Sequence, residues 1–431
     1  MVRSGPSMPG NVLYRICLAM EGHQGDVLDR KHGRNLNILA MMDVSKSWRD
    51  NIMKFDDLFR NIAFDTSDGC TVATASRILQ TIETRPIKLE VVIRSTFRDL
   101  IGDTKLQVMA REFVRRLGLQ SGRFVYFELR SKTSHLDLYF NLPAPKLRFL
   151  LLNCAISPVL FSSSFPKLRA LRANVNKVFK QPSSTLFNLS DLRLVNPHRA
   201  QKLSMESVLA LFRATCQLEV LKLSGFVRFG CIPTTAEPTE LSNLKYIQLM
   251  DCHPQELLPW LRFPQLCEFN FCGFDFTPDE NTPPSMIGNT DFFSSLQACP
   301  LPILDQRPLT HIFVSTDEKS DKIQFTLRMT SGPGLEHKFM ITAAWDKWID
   351  WKARLRQSIE GAMKRIRLAS TVCLYVFQHV DHAWGLYLPL LRLPQVSVLY
   401  TSGWFTPVAF KLLVDSCDPT CGLLLPRLKC F

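Results

Sequence analysis

The sequence predicts an α/β fold, a curved parallel sheet with outer helices, preceded by a small helical module. Three observations predict it: an apolar spacing that recurs through the middle of the chain, a different, helical spacing before it, and the composition. The chain of 431 residues is 46% hydrophobic and 21% charged, values typical of a folded protein with a large core.

The first part of the chain predicts a helical module over residues 8–64, after a flexible N-terminus over residues 1–7. Pro9 is placed to start a helix. The apolar stripe that follows it at helical spacing consists of Val12, Leu13, Ile16 and Met20. A polar insert is expected over residues 21–35, and residues 36–49 and 56–62 predict the remaining helical turns.

The middle of the chain repeats one unit: an apolar residue, two variable positions, a second apolar residue, one variable position and a third apolar residue. Seven copies have their apolar positions at Phe124/Phe127/Leu129, Leu147/Leu150/Leu152, Leu168/Leu171/Ala173, Leu189/Leu192/Leu194, Leu218/Leu221/Leu223, Leu244/Ile247/Leu249 and Leu266/Phe269/Phe271. Their first positions are 21 to 29 residues apart. Such steps are typical of a leucine-rich-repeat solenoid, here over residues 65–431, in which each copy adds a short parallel strand. Because one copy cannot bury its own apolar face, function is expected on the assembled surface.

Side-chain alternation within each repeat separates the core from the inner, concave face of the sheet. The positions that face outward there are Glu128, Leu151, Arg172, Arg193, Lys222, Gln248 and Asn270. Three successive repeats therefore predict a basic strip of Arg172, Arg193 and Lys222, with Phe149 and Tyr246 supplying apolar contacts nearby. One interpretation is a binding site for an acidic or phosphorylated protein segment. The other is a row of solvated side chains that salt screens.

After the repeats the pattern becomes irregular. The proline-rich stretch around residues 275–308 predicts a loop-rich insertion. Further strands are predicted over residues 309–314, 323–329, 338–342, 371–377 and 396–401. Apolar residues from Trp345 to Ile366 follow helical spacing among lysines and arginines, which indicates a basic amphipathic helix. Such a helix either packs its tryptophans on the sheet or binds an acidic partner or membrane surface.

The N-terminal segments resemble the F-box family, whose motif runs leucine-proline-x-glutamate with two aliphatics, then valine-cysteine-x-x-tryptophan-arginine, then leucine-tryptophan. The matching residues are Met8, Pro9, Val12, Leu13, Ile16, Val44, Trp48, Arg49, Leu58 and Phe59. The sequence departs from the motif at Met8, Asn11, Ser45 and Phe59 and in the long insert. A module of this kind before such repeats resembles the architecture of fungal F-box and leucine-rich-repeat proteins.

This resemblance implies a non-catalytic substrate-recognition subunit of an SCF-type ubiquitin ligase. The F-box-like residues would dock the ligase adaptor and, through it, a cullin, and the concave face would bind a target protein. A competing hypothesis remains open. The same apolar residues would then form only a cap on the first repeat, in an interaction scaffold unconnected to ubiquitin.

Composition narrows the other classes of function. The net charge of +13 comes from Lys and Arg scattered along the chain, so a nucleic-acid partner is not expected. The 13 cysteines lie mostly in apolar stretches without the spacing of a secreted disulfide framework, which indicates a reducing compartment, cytoplasmic or nuclear. No apolar run is long enough to predict a membrane span.

Catalytic and metal-binding motifs are not found in the sequence. It has no phosphate-binding glycine loop, nucleophile elbow or zinc helix motif. The pairs His379 with His382 and Cys417 with Cys421 lack a second pair at zinc-site spacing. We therefore expect no enzyme activity, no metal and no cofactor.

Overall fold

The structure, a computed structural model, describes most of the chain. Apart from a few isolated positions, the described ranges are residues 8–19, 27–95, 104–131, 143–155, 165–174, 187–196, 204–226, 237–252, 257–274, 308–319, 322–331, 338–346, 368–378 and 393–403. The predicted N-terminus over residues 1–7, the pairs His379 with His382 and Cys417 with Cys421, and all but the last residue of the predicted insertion lie outside the described residues.

The chain divides into two compact units, Met1–Pro197 and His198–Phe431. The first unit contains the helical module together with the first strands of a sheet. The predicted boundary at residues 64 and 65 therefore lies inside this unit.

The helical module consists of α1 (Gly10–Ala19), α2 (Val27–Val44) and α3 (Lys46–Ile52), followed by a 3-10 turn (Asp56–Phe59). The Ser45 hydroxyl caps α3 by accepting a hydrogen bond from the backbone N–H of Trp48. The sequence predicted a polar insert over residues 21–35, but residues 27–35 are helical. The reason is tertiary: the NH2 group of buried Asn35 donates to the Asn61 carbonyl at 3.1 Å, which ties this part of the helix to the rest of the unit.

Two strands, two helices and a 3-10 turn precede the predicted repeats. These elements are β1 (Asn61–Asp65), α4 (Gly69–Ile82), β2 (Leu89–Ser95), α5 (Lys105–Gly118) and a second 3-10 turn (Ser121–Arg123). The Asp68 side chain caps α4, and Thr104 with Gln107 forms a capping box on α5. Residues 61–62 were predicted to end the helical module, but they begin β1.

The remaining strands of the first unit lie where the sequence predicts them. They are β3 (Phe124–Ser131), β4 (Phe149–Ala155), β5 (Ala170–Asn174) and β6 (Asp191–Val195). The order β1-β2-β3-β4-β5-β6 is parallel at every described pairing. The three apolar positions of each repeat in this unit are 3% exposed or less, so they form the core.

The first described element of the second unit is α6 (Met205–Ala214), and short strands follow it. These strands are β7 (Val220–Ser224), β8 (Thr239–Glu240), β9 (Tyr246–Met250), β10 (Leu261–Arg262) and β11 (Glu268–Phe274), with a 3-10 turn at Leu258–Trp260. β7, β9 and β11 pair in parallel, and β8 pairs with β10 separately.

The last described strands are β12 (Leu309–Lys319), β13 (Lys322–Thr330), β14 (Lys338–Asp346), β15 (Leu368–Gln378) and β16 (Val396–Gly403). Their order is β11-β14-β13-β12-β15-β16, and β13 runs antiparallel to both neighbours. The expectation of an entirely parallel sheet is therefore wrong here, because β12, β13 and β14 form a meander. Trp345 lies in β14, so the predicted amphipathic helix does not begin there, and residues 347–367 are outside the described ranges.

The fold is thus mixed α/β with mostly parallel strands. In the first unit, α2 and α4 both pack against β1. Asp43 of α2 pairs with Arg77 of α4 at 2.5 Å, and this hydrogen bond lowers the pKa of Asp43. The helical module is therefore attached to the first strand of the sheet.

Among the described helices, none has both the length and the apolar composition to cross a membrane.

Candidate functional site

Two residues of the predicted basic strip lie on neighbouring strands of the first unit. Arg172 on β5 and Arg193 on β6 are register partners on neighbouring strands. Asp191 on the same strand binds Arg193, with its carboxylate oxygens 3.0 Å from Nε and 2.6 Å from Nη2. Lys222 belongs to the second unit, where its ammonium lies 4.9 Å from the centre of the Tyr246 ring. Since Asp191 neutralises Arg193, the strip offers less free positive charge than predicted.

The two predicted apolar contacts differ in their environment. Phe149, at the start of β4, is 44% exposed. Tyr246 is half-buried, and its hydroxyl donates to Gln248 at 3.2 Å and accepts from Asn270 at 2.9 Å. Phe149 is therefore available to a ligand, whereas the Tyr246 hydroxyl already has partners.

A cleft of about 660 Å³ lies at the amino ends of strands β1 to β5 in the first unit. Its lining residues are Arg60, Lys88, Glu90, Val125, Tyr126, Lys146, Arg148, Phe149 and Lys167. Five of these nine residues are cationic and one is anionic. The cleft therefore concentrates positive potential in a concave surface. We call it the basic cleft.

A repeated tetrapeptide positions three of these cations. Pro-Lys-Leu-Arg occurs at residues 145–148, just before β4, and again at residues 166–169, just before β5. The leucine of each copy, Leu147 or Leu168, is buried. The residues on either side of it are exposed at the amino end of the strand that follows. The backbone N–H of Arg169 also donates to the Arg148 carbonyl at 2.9 Å, which holds the two copies side by side.

The single carboxylate of the basic cleft is already paired. Glu90 accepts from Arg60 at 2.8 Å and from Lys31 of α2 at 3.3 Å. The Lys31 ammonium also lies 5.0 Å from the centre of the Tyr126 ring. Two cations thus compensate Glu90, so it does not neutralise the remaining ones.

Tyr126 lines the basic cleft, and a hydrogen bond from its hydroxyl to Glu128 holds it in place. Its hydroxyl donates to Glu128 at 2.6 Å, and Glu128 also accepts from Arg130 Nε at 2.7 Å. Burial, and then the hydrogen bond to Glu128, raises the pKa of Tyr126 well above its ordinary value. The centre of the Tyr126 ring lies 6.4 Å from the centre of the Phe149 ring, so two neighbouring aromatic rings line the cleft.

Four cations of the basic cleft have no ion-pair or hydrogen-bond partner for their side chains within the described part of the chain. These residues are Lys88, Lys146, Arg148 and Lys167, and all four are exposed. An anionic ligand would supply the missing counter-charge. The arrangement is suited to binding, and the described residues contain no cluster of three or more His, Cys, Asp or Glu that could hold a metal ion.

The residues predicted to dock an adaptor fall into three classes of exposure. Val12 is 40% exposed and Val44 is 60% exposed, and Pro9 is also at the surface. Met8, Ile16 and Trp48 are half-buried. Leu13, Leu58 and Phe59 are fully buried, so they would act only by maintaining the fold of the module.

The apolar repeat pattern did not predict the basic cleft, because that pattern describes positions inside the strands. Its cations lie just before the strands, on either side of the first leucine of a repeat. The duplicated Pro-Lys-Leu-Arg was the signal that could have revealed it.

The structure is that of an α/β protein with a mostly parallel sheet and a concave basic surface. No protein-family model, no curated protein and no solved structure matches this chain.

Proposed function

We propose that the chain is a non-catalytic substrate-recognition subunit of an SCF-type ubiquitin ligase. The F-box-like helices α1 to α3 bind the adaptor, and the leucine-rich-repeat sheet binds the target protein. Ubiquitin transfer is then promoted by effective concentration, because the target is held near a ligase that the chain does not itself contain.

The exposed apolar side chains of the helical module carry the proposal. Val12, Leu18, Leu36 and Val44 expose between 38% and 60% of their surface within a module of about fifty residues. Exposed apolar side chains on a short helical unit are candidate contacts for a protein partner. The match of these helices to the order of the F-box motif supports an adaptor as that partner.

The attachment of the module to the sheet supports the proposed mechanism, in which ubiquitin transfer is promoted by effective concentration. Asn35 binds the backbone of β1 and Lys31 binds Glu90 of β2, so two elements of the sheet hold α2. A partner on the module is then held at a fixed distance from the sheet of the first unit. A fixed distance raises the effective concentration of a bound target more than a loose tether does.

The repeat interpretation of the sheet rests on burial. In all seven predicted copies the second apolar position lies in a strand and is 3% exposed or less. The residue after it is the one that alternates away from the core. This pattern supports leucine-rich repeats as the unit of the sheet.

Adaptor binding tests the proposal directly. The purified full-length chain is titrated by calorimetry with the adaptor subunit of an SCF-type ubiquitin ligase, and Val44→Asp is compared with Leu119→Asp. Leu119 is a matched control, because it is also 60% exposed but lies after α5, outside the module. We expect wild type and the Leu119 variant to bind alike and the Val44 variant to bind at least about tenfold more weakly. No binding by folded wild-type chain would overturn the proposal.

A separate observation favours a second candidate function, an interaction scaffold in which the helices are only a cap. Because α2 packs against β1, the first strand of the sheet, the helices cover an edge that would otherwise be open. A scaffold with a helical cap has the same packing. Deleting the helices would expose β1 under either hypothesis, so surface substitutions such as Val44→Asp discriminate better than a deletion.

A further inference from the structure

We propose that the basic cleft binds a short peptide segment that carries closely spaced phosphoryl or carboxylate groups. This inference rests on the proposed function for the source of the segment, a target protein. The site differs from the predicted strip, because it lies before the strands and not within them.

Charge is the first argument. Lys88, Lys146, Arg148 and Lys167 converge on one cleft without an acidic partner among the described residues, and Glu90 is compensated by Arg60 and Lys31. Like charges on neighbouring strands repel each other. An anion placed between them removes this repulsion, so the cleft gains stability when it is occupied.

Geometry limits the size of the anion. The unpartnered cations extend from β2 to β5, three strand spacings or about 14 Å. The next strand entrance contributes Asn188 and Ser190, so the positive row ends there. An extended peptide of about four residues spans this length. A row of this length is suited to a segment with two or three negative groups rather than to a long polyanion.

The chemistry of the lining favours a peptide. Arg148 can hold a phosphoryl or carboxylate group through two parallel N–H bonds, and the lysines supply point charges beside it. Phe149 and Tyr126 present aromatic surface between the cations, against which peptide side chains can pack. A volume of about 660 Å³ is within the range of sites that enclose a small ligand or a few side chains.

The test uses the full-length chain and fluorescein-labelled peptides of twelve residues. One peptide carries two phosphoserines, a second carries glutamate at both positions and a third carries serine. A twelve-nucleotide single-stranded DNA serves as the fourth probe. Fluorescence anisotropy gives each affinity for wild type, for the double variant Arg148→Glu/Lys167→Glu and for Lys105→Glu. Lys105 is exposed at the start of α5 and does not line the cleft.

We expect the phosphorylated or the acidic peptide, or both, to bind wild type, and the serine peptide to bind at least about tenfold more weakly. The double variant should lose about tenfold or more, and the Lys105 variant should change less than about twofold. Comparing the first two peptides identifies the source of the negative groups.

Three results would overturn the inference. These are equal affinity for the serine peptide, equal losses in the double and control variants, and tighter binding of the DNA, which would indicate a nucleic-acid site. If thermal unfolding shows that the double variant is not folded, Arg148→Gln/Lys167→Gln replaces it. No adaptor is present in this assay, so a failure of peptide binding is distinguishable from a failure of adaptor binding.

Discussion

Arg172 and Arg193 are register partners on two neighbouring parallel strands, and Asp191 binds only the second of them among the described residues. The bidentate contact uses a carboxylate two residues earlier on the same strand. It draws the guanidinium of Arg193 toward its own strand and limits the repulsion between the two arginines.

Asp191→Asn should remove the carboxylate that compensates the charge of Arg193. We expect the free energy of unfolding to fall by about 0.2–1 kcal/mol at low salt, because exposed ion pairs contribute about this much. The loss should shrink at high salt, since screening weakens the repulsion. Urea unfolding at both salt concentrations measures it. In an Arg193→Gln background the same substitution should have little effect, and an equal loss there would contradict the pairing.

The strands of the predicted repeats could be located because their sequence alternates. Leu192 and Leu194 face the core while Arg193 between them does not, and this pattern marks both the strand and its orientation. The strand β1 lacks such alternation. Its residues from Asn61 to Phe64 are all buried because helices pack against it, so the segment shows no periodicity of two.

The direction of a strand and the basic cleft were harder to predict. Parallel and antiparallel strands show the same alternation of apolar and polar residues. The sequence of β13 therefore does not indicate that this strand runs antiparallel to its neighbours. The cations of the cleft come from residues before different strands, and only the order of strands brings them together. Arg148 and Lys167 are 19 positions apart in the chain yet line the same cleft.

Leu192→Ala should destabilise the first unit much more than Leu119→Ala. Leu192 is fully buried in β6, whereas Leu119 is 60% exposed after α5. We expect a loss of about 2–5 kcal/mol for the buried leucine, since its removal leaves a cavity. The exposed leucine should cost less than about 0.5 kcal/mol. Urea unfolding of both variants gives the comparison, and similar losses would contradict the assignment of Leu192 to the core.

Tyr126→Phe removes a hydrogen bond to a buried carboxylate. Glu128 is 6% exposed and would retain Arg130 as a partner. We expect unfolding free energy to fall by about 1.5–3 kcal/mol, the usual value for a hydrogen bond to a charged group. Circular dichroism during urea unfolding at neutral pH measures the loss. No loss would show that the Tyr126 hydroxyl is not bound to Glu128 in solution.

The same tyrosine predicts a dependence on pH. Burial raises the pKa of Tyr126 above its ordinary value of 10.0, so the folded chain keeps a proton that the unfolded chain releases. The stabilisation is therefore complete below pH 10 and declines as the pH rises above it. The difference between wild type and Tyr126→Phe should narrow over that range. A constant difference would contradict the raised pKa.

Cys252 and Cys70 should differ in their reactivity toward iodoacetamide. Burial raises the pKa of the Cys252 thiol to about 12, and the thiol donates to the carbonyls of Met250 and Leu223 at 3.2 and 3.5 Å. Cys70 is exposed on α4. Because the thiolate is the nucleophile, we expect rapid labelling of Cys70 and at least about a hundredfold slower labelling of Cys252 in the folded chain. Peptide mapping by mass spectrometry separates the sites, and urea should make the two rates similar. Equal rates without urea would show that the turn after β9 opens readily.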